Sequence, residues 1–160
     1  MDCKEFDFVG LLSVTAIPVA DYSPGAAAWQ VNPVIPNAAF SPTLTHAIVI
    51  GAFPATTGGK LIPIMRGTGK VKDDESESVA GRKHTVTVSC EADDRDKKTW
   101  GYLTTLERTP CHLLLTFRGG ARAFVAATRD TYTCEVSRED AKTGVSFKID
   151  NFMGLQLITA

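Results

Sequence analysis

Three imidazoles are available for acid–base or metal chemistry: His46, His84 and His112. Cys111 and His112 are adjacent, and on a strand adjacent side chains point to opposite faces, so the two cannot share one metal ion without distortion. The chain has no His-x-His and no Glu-x-x-His, the local spacings from which zinc sites are commonly built. The four cysteines, Cys3, Cys90, Cys111 and Cys134, stand 87, 21 and 23 positions apart, with no C-x-x-C pair. A Cys/His nucleophile pair could form only through the fold, because no local signature supports one. Asp73-Asp74-Glu75-Ser76-Glu77 carries four acids in five residues but lacks the fixed spacing and glycine of a calcium loop. Gly58-Gly59-Lys60 and Gly67-Thr68-Gly69-Lys70 fall short of the phosphate-loop pattern, which needs Ser or Thr after the lysine and a helix beyond it. Arg118, Arg122 and Arg129 surround Gly119-Gly120 and could form a basic rim. Trp29 and Trp100 do not interleave with basic residues as a single-strand nucleic-acid groove requires. The expectation is a non-enzymatic protein with no catalytic, cofactor-binding or metal residues.

The elements that position these residues are mostly strands. Lys83 to Cys90 alternates strictly, with Val86, Val88 and Cys90 on one face and Thr85, Thr87 and Ser89 on the other. His46–Ile50 reads as a buried strand, and Lys60–Met65 as its partner across Thr56–Gly59, with Pro63 forcing an edge or a bulge. Cys111–Phe117 and Ala121–Ala127 flank Gly119-Gly120, a pair suited to a tight hairpin turn. Thr131–Ser137 and Gly144–Ile149 flank a second hairpin loop, Arg138–Thr143. Gly154 precedes a last strand, Leu155–Thr159. One helix is predicted over Asp94–Arg108. Aspartates cap its start, Trp100, Leu103 and Leu106 form its apolar face, and Pro110 stops it. The sum is a mainly β chain: a sandwich or small barrel of about eight strands with one packed helix.

Charge is divided unevenly along the chain. Of the 44 residues from Tyr22 to Met65, only Lys60 is charged, and six of the eight prolines fall there. Trp29, Val34, Ile35 and Phe40 in that stretch need cover, so it is read either as a long loop folded over its own domain or as an arm buried between subunits. Arg66–Asp150 carries 15 basic and 14 acidic residues. Gly67–Lys83 is glycine-bounded and charged, and reads as a surface loop. Its Lys70, Lys72, Asp73, Asp74, Glu75, Glu77 and Arg82 could order against a partner.

At 160 residues, 44% hydrophobic and 22% charged, the chain matches one ordinary globular domain and excludes collagen, low-complexity disorder and a disulfide mini-scaffold. A net charge of −1 gives no global pull toward nucleic acid or anionic lipid. The acidic start, Met1–Asp7, is unlike a secretory signal, and no run approaches the ~18 apolar residues of a membrane span. Reduced thiols and synthesis in a cytoplasm follow as expectations.

The order of elements resembles the tail tube proteins of long-tailed bacteriophages and the related tube protein of type VI secretion systems. The resemblance is carried by the charged segment Gly67–Lys83, the strand Lys83–Cys90, the helix Asp94–Arg108 and the strands of Cys111–Thr159, and it is one of architecture. The resemblance implies a virion protein assembled in the bacterial cytoplasm. Its rings, typically hexameric, would stack into a tube that conducts DNA without binding it specifically. Its partners would be further copies of itself and other tail or neck proteins, with no membrane involved. Apolar anchors in a stretch with a single charge point to a subunit interface at Trp29, Val34, Ile35 and Phe40, and the separate blocks of charge along Lys70–Arg82 to a contact between rings. The neutral segment Tyr22–Met65 departs from the tube topology. It keeps a neck or tail-terminator ring protein as an alternative, beside a β-sandwich binding module.

Overall fold

Strict alternation with β-branched residues produces the longest strand, β5 (Gly81–Ala92), whose Val86, Val88, Cys90 and Ala92 are buried while the intervening Thr and Ser are half-exposed. The computed structural model describes residues 10–20, 34–36, 60–93, 97–140, 142–152 and 154–159. Around β5 these residues form β1 (Leu11–Pro18), β2 (Val34–Pro36), β3 (Lys60–Ile62), β4 (Lys70–Ser78), α1 (Lys97–Leu106), β6 (Cys111–Phe117), β7 (Arg122–Val125), β8 (Tyr132–Glu139), β9 (Lys142–Asn151) and β10 (Gln156–Thr159).

Two sheets pack as a sandwich with one short helix. In the first, five strands run antiparallel in the order β10-β7-β6-β1-β3, and β2 adds to β10 in parallel. The second is antiparallel throughout, in the order β4-β5-β9-β8. Between them lies one core. Val14, Ile62, Leu113, Leu115, Phe117 and Val125 come from the first sheet, Val86, Val88, Phe147, Ile149 and Cys134 from the second, and Tyr102, Leu103 and Leu106 from α1. The chain crosses between sheets at Pro63–Met65: Asp93 N donates to Pro63 O and Met65 N to Glu91 O, at the end of β5. Pro63, which cannot donate, sits where β3 ends.

Several expectations change. There are ten strands among the described residues, not eight: β1, β2 and β4 were not anticipated. The charged segment Gly67–Lys83 is not a loop. Nine of its residues form β4, paired with β5 from Lys70↔Ser89 to Ser78↔Gly81, so that Val79 and Ala80 alone separate the two strands. Backbone pairing to an already specified strand outweighs the weak β preference of charged side chains, and an edge strand tolerates them because one side stays in water. β3 pairs with β1, while the proposed partner His46–Ile50 lies outside the described residues.

The helix ends at Leu106, and its buried face is Tyr102, Leu103 and Leu106. Trp100 is half-buried, with the Arg138 guanidinium 5.1 Å from its ring centre. Asp94–Asp96 lie outside the described residues. The Gly119-Gly120 turn is as expected, with φ of 98° and 92°. The second hairpin is tighter than expected, with β8 running to Glu139, β9 starting at Lys142 and Asp140 at φ 49°.

Candidate functional site

Parity along β4 divides the acidic run. Lys70, Lys72 and Asp74 stand opposite Ser89, Thr87 and Thr85, on the outer face of the second sheet; Asp73, Glu75 and Glu77 stand opposite Val86, His84 and Arg82, on the inner-facing side. The outer face continues through Ser146, Lys148 and Asp150 of β9 to Thr133 and Glu135 of β8. It is a polar surface of nearly balanced charge. Its ion pairs are local: Lys72 to Asp74 at 3.3 Å and Lys83 to Asp150 at 3.1 Å. Thr85 Oγ1 donates to Asp150 at 2.7 Å, and that bond, followed by Lys83, holds the Asp150 carboxyl below its usual range. At one end the face opens into a groove of about 550 Å³, lined by Lys70, Ser89, Glu91, Ser137, Glu139 and Lys142.

The hairpin of β4 and β5 runs past the end of β9, since β5 pairs with β9 only from His84 onward. Beyond that point Arg82 contacts Glu75 at 3.1 Å and Glu77 at 3.9 Å, and Val79 is fully exposed at the tip. The foot of the hairpin is tied down. Asp73 Oδ1 lies 2.9 Å from His84 Nδ1, and Asp73 Oδ2 accepts from Leu155 N at 3.1 Å, joining β4 to the entry of β10. Gly154 N donates to Asn151 Oδ1 at 2.5 Å, and Asn151 Nδ2 to Ala126 O at 2.9 Å. Gly154 has φ 63°, and a Cβ there would run into Asp73 Oδ2 and the His84 ring.

The two edges of this sheet differ. β4 has no strand beyond it among the described residues, and almost every side chain on it is exposed. Along β8 lies α1. Tyr132 Oη donates to Leu106 O at 2.8 Å, Arg138 covers Trp100, and Glu107 Oε1 accepts from Val136 N at 2.8 Å.

Comparison with protein-family models, curated proteins and solved structures finds no match to this chain.

The other residues singled out from sequence are dispersed. Val34 and Ile35 have their backbone engaged within the chain, beside Leu157 and Ile158, while Trp29 and Phe40 lie outside the described residues. Lys70–Arg82 are brought together on one hairpin, with the acids partnered mostly inside it. The arginine rim divides: Arg118 and Arg122 stay at the Gly119-Gly120 hairpin, while Arg129 joins Arg108 and Pro110 around a separate cavity of about 360 Å³.

Cys111 and His112 do point apart. Cys111 belongs to the core, whereas buried His112 accepts from Ala127 N at 2.9 Å through Nδ1. Cys90, Cys111 and Cys134 are buried free thiols, and burial pushes Cys90 and Cys134 up to about 12, so they pack as small apolar groups.

Sequence reasoning missed the Asp73–His84–Leu155 tie and the Glu107–Val136 contact. Gly154 alone signalled the first. Nothing local signals the second, which joins residues 29 positions apart.

Proposed function

We propose that this chain is a virion structural protein, a phage tail tube subunit whose copies form stacked rings that conduct DNA. One observation carries the reading: the four-stranded sheet ends in two edge strands that run in opposite directions, β4 and β8, and its outer face is polar. With an even number of antiparallel strands, a second copy in the same orientation can add its β4 beside β8 and continue the antiparallel order. Such a head-to-tail contact closes into a ring when the rotation permits, and closure removes the exposed edges. The edges suit each other in charge at one end, with Lys70 and Lys72 on β4 and Glu135 and Glu139 on β8.

In that ring the outer face of the sheet lines the bore. Lys70, Lys72, Lys83 and Lys148 there are balanced by Asp74, Asp150, Glu91 and Glu135. Strong retention of duplex DNA needs clustered cations that neutralise several phosphates, so a balanced lining lets DNA slide. The projecting hairpin, with Val79 at its tip, supplies the contact between rings.

The test is the assembly state of the purified chain by light scattering and negative-stain microscopy across concentration. Rings that stack into tubes are expected, with no retention of duplex DNA at ~150 mM salt. Rings that never stack would move the reading to a neck or tail-terminator protein. A chain that stays monomeric at every concentration would overturn it.

A further inference from the structure

The structure points to a self-made guard on one edge of the sheet. We propose that Glu107 blocks the β8 edge in the free subunit, and that a second copy can add its β4 there only after this carboxylate is released. The inference rests on the edge-to-edge reading above.

Val136 N donates to Glu107 Oε1 at 2.8 Å, so this N–H points away from β9 and toward the edge of the sheet along which α1 lies. Antiparallel pairing alternates along a strand, so Cys134 presents its N–H group on the same side as Val136. An incoming strand needs those donors for its carbonyls, and at Val136 a carboxylate already holds the place. A charge-assisted bond is stronger than the neutral bond that would replace it, so the guard raises the barrier to casual pairing. It is also releasable, because Glu107 is exposed and follows the last helical residue, Leu106, whose carbonyl is held by Tyr132. The helix stays in place while the carboxylate turns out.

The incoming edge offers that carboxylate a new partner. Along the ladder, Val136 is level with Val145 and Cys90, one position from the row of Lys70, Ser89, Ser146 and Glu135. Lys70 and Lys72 of an added β4 therefore arrive beside the released Glu107. The guard thus discriminates: a strand with basic residues at its leading end compensates the loss of the Val136 bond, and an apolar strand does not. One guarded edge, and one with no strand beyond it among the described residues, also give addition a direction.

The experiment compares the wild-type chain with Glu107→Ala and Glu107→Gln. Amide exchange at Val136 is measured on dilute monomer, and association is followed by light scattering after concentration. In Glu107→Ala the Val136 amide should exchange about tenfold faster, the scale of one charge-assisted hydrogen bond, and association should quicken by a similar factor. Glu107→Gln keeps an acceptor oxygen without the charge, so its Val136 amide should exchange at a rate between those of wild type and Glu107→Ala. It has no charge to give to Lys70, so its association should be slower than wild type. Equal association rates for wild type and Glu107→Ala, with rings forming in both, would overturn the guard and leave the ring reading standing. If neither chain associates although Val136 has become exposed in Glu107→Ala, the ring reading falls and the guard falls with it.

Discussion

The two sheets of this sandwich are built to different ends. The six-stranded sheet is buried on both faces along its central strands: Leu113, Leu115 and Phe117 of β6 point into the core, while His112 and Leu114 on the opposite side are buried as well, as are Ile17, Phe124 and Gln156. Only toward β3 do Leu12 and Leu61 stand exposed among these strands' described apolar side chains. The four-stranded sheet is buried on one face only. Val86, Val88, Phe147 and Ile149 point inward, and Thr, Ser and charged residues point out. A sheet covered twice is a foundation, since each strand contributes apolar area on both sides. A sheet covered once, with a polar outer face and edges of opposite direction, has a surface left over for partners. The comparison separates what holds this protein together from what it presents.

Truncation tests the contrast most strongly. Phe117→Ala in the first sheet and Phe147→Ala in the second remove fully buried rings from the shared core, and each should cost about 3–5 kcal/mol in denaturant unfolding. On the outer face of the second sheet, Thr87→Ala and Lys148→Ala should stay within about 0.5 kcal/mol. Comparable losses on both faces would mean that the outer face is not a surface.

Next comes the tie between the sheets. Gly154→Ala meets both a left-handed φ and the Asp73–His84 pair, so about 1–3 kcal/mol should be lost. The Leu155 amide should exchange faster in the variant, because its acceptor Asp73 is displaced. Unchanged exchange at Leu155 would show that the hairpin is not anchored there.

Alkaline pH addresses the core thiols. Burial raises Cys90 and Cys134 to about 12 in the folded state from 9.0, so folding favours their protonated forms. Their contribution is complete below pH 9 and is lost as pH rises from 9 toward 12. Buried Tyr102 and Tyr132 are raised too and act in the same direction. Unfolding midpoints should fall over that window, and less steeply in Cys90→Ala. A thiol reagent at pH 8 should leave both cysteines unmodified in the folded chain.

The smallest effect belongs to the projecting hairpin. Arg82→Ala removes contacts to Glu75 and Glu77 among well-exposed side chains, and the cost to monomer stability should be about 0–1 kcal/mol. If ring stacking uses this hairpin, the same substitution should weaken tubes while leaving rings intact.

What was legible in the sequence was the periodic part. β5 announced itself by alternation, the Gly119-Gly120 hairpin by its glycines, and α1 by Leu103 and Leu106. β4 was hidden because a nine-residue strand of mostly charged and polar side chains carries no hydrophobic period; it exists through backbone bonds to its neighbour. β1 was legible in principle, since Leu11–Pro18 is rich in apolar and β-branched residues. The helix face moved from Trp100 to Tyr102 because α1 lies along β8 and turns Tyr102, Leu103 and Leu106 into the core, a rotation that a count of apolar spacings leaves open.

Local composition by itself determined the class of this protein: a β-rich domain with one short helix and thiols suited to a core. Those properties follow from side-chain period, turn chemistry and hydrophobicity, which act over a few residues. Only the tertiary structure decided which edges remain, which face is polar and which carboxylate sits on Val136. These depend on contacts between residues tens of positions apart, such as Asp73 with Leu155 and Glu107 with Val136, whose formation is set by how two sheets and a helix pack together.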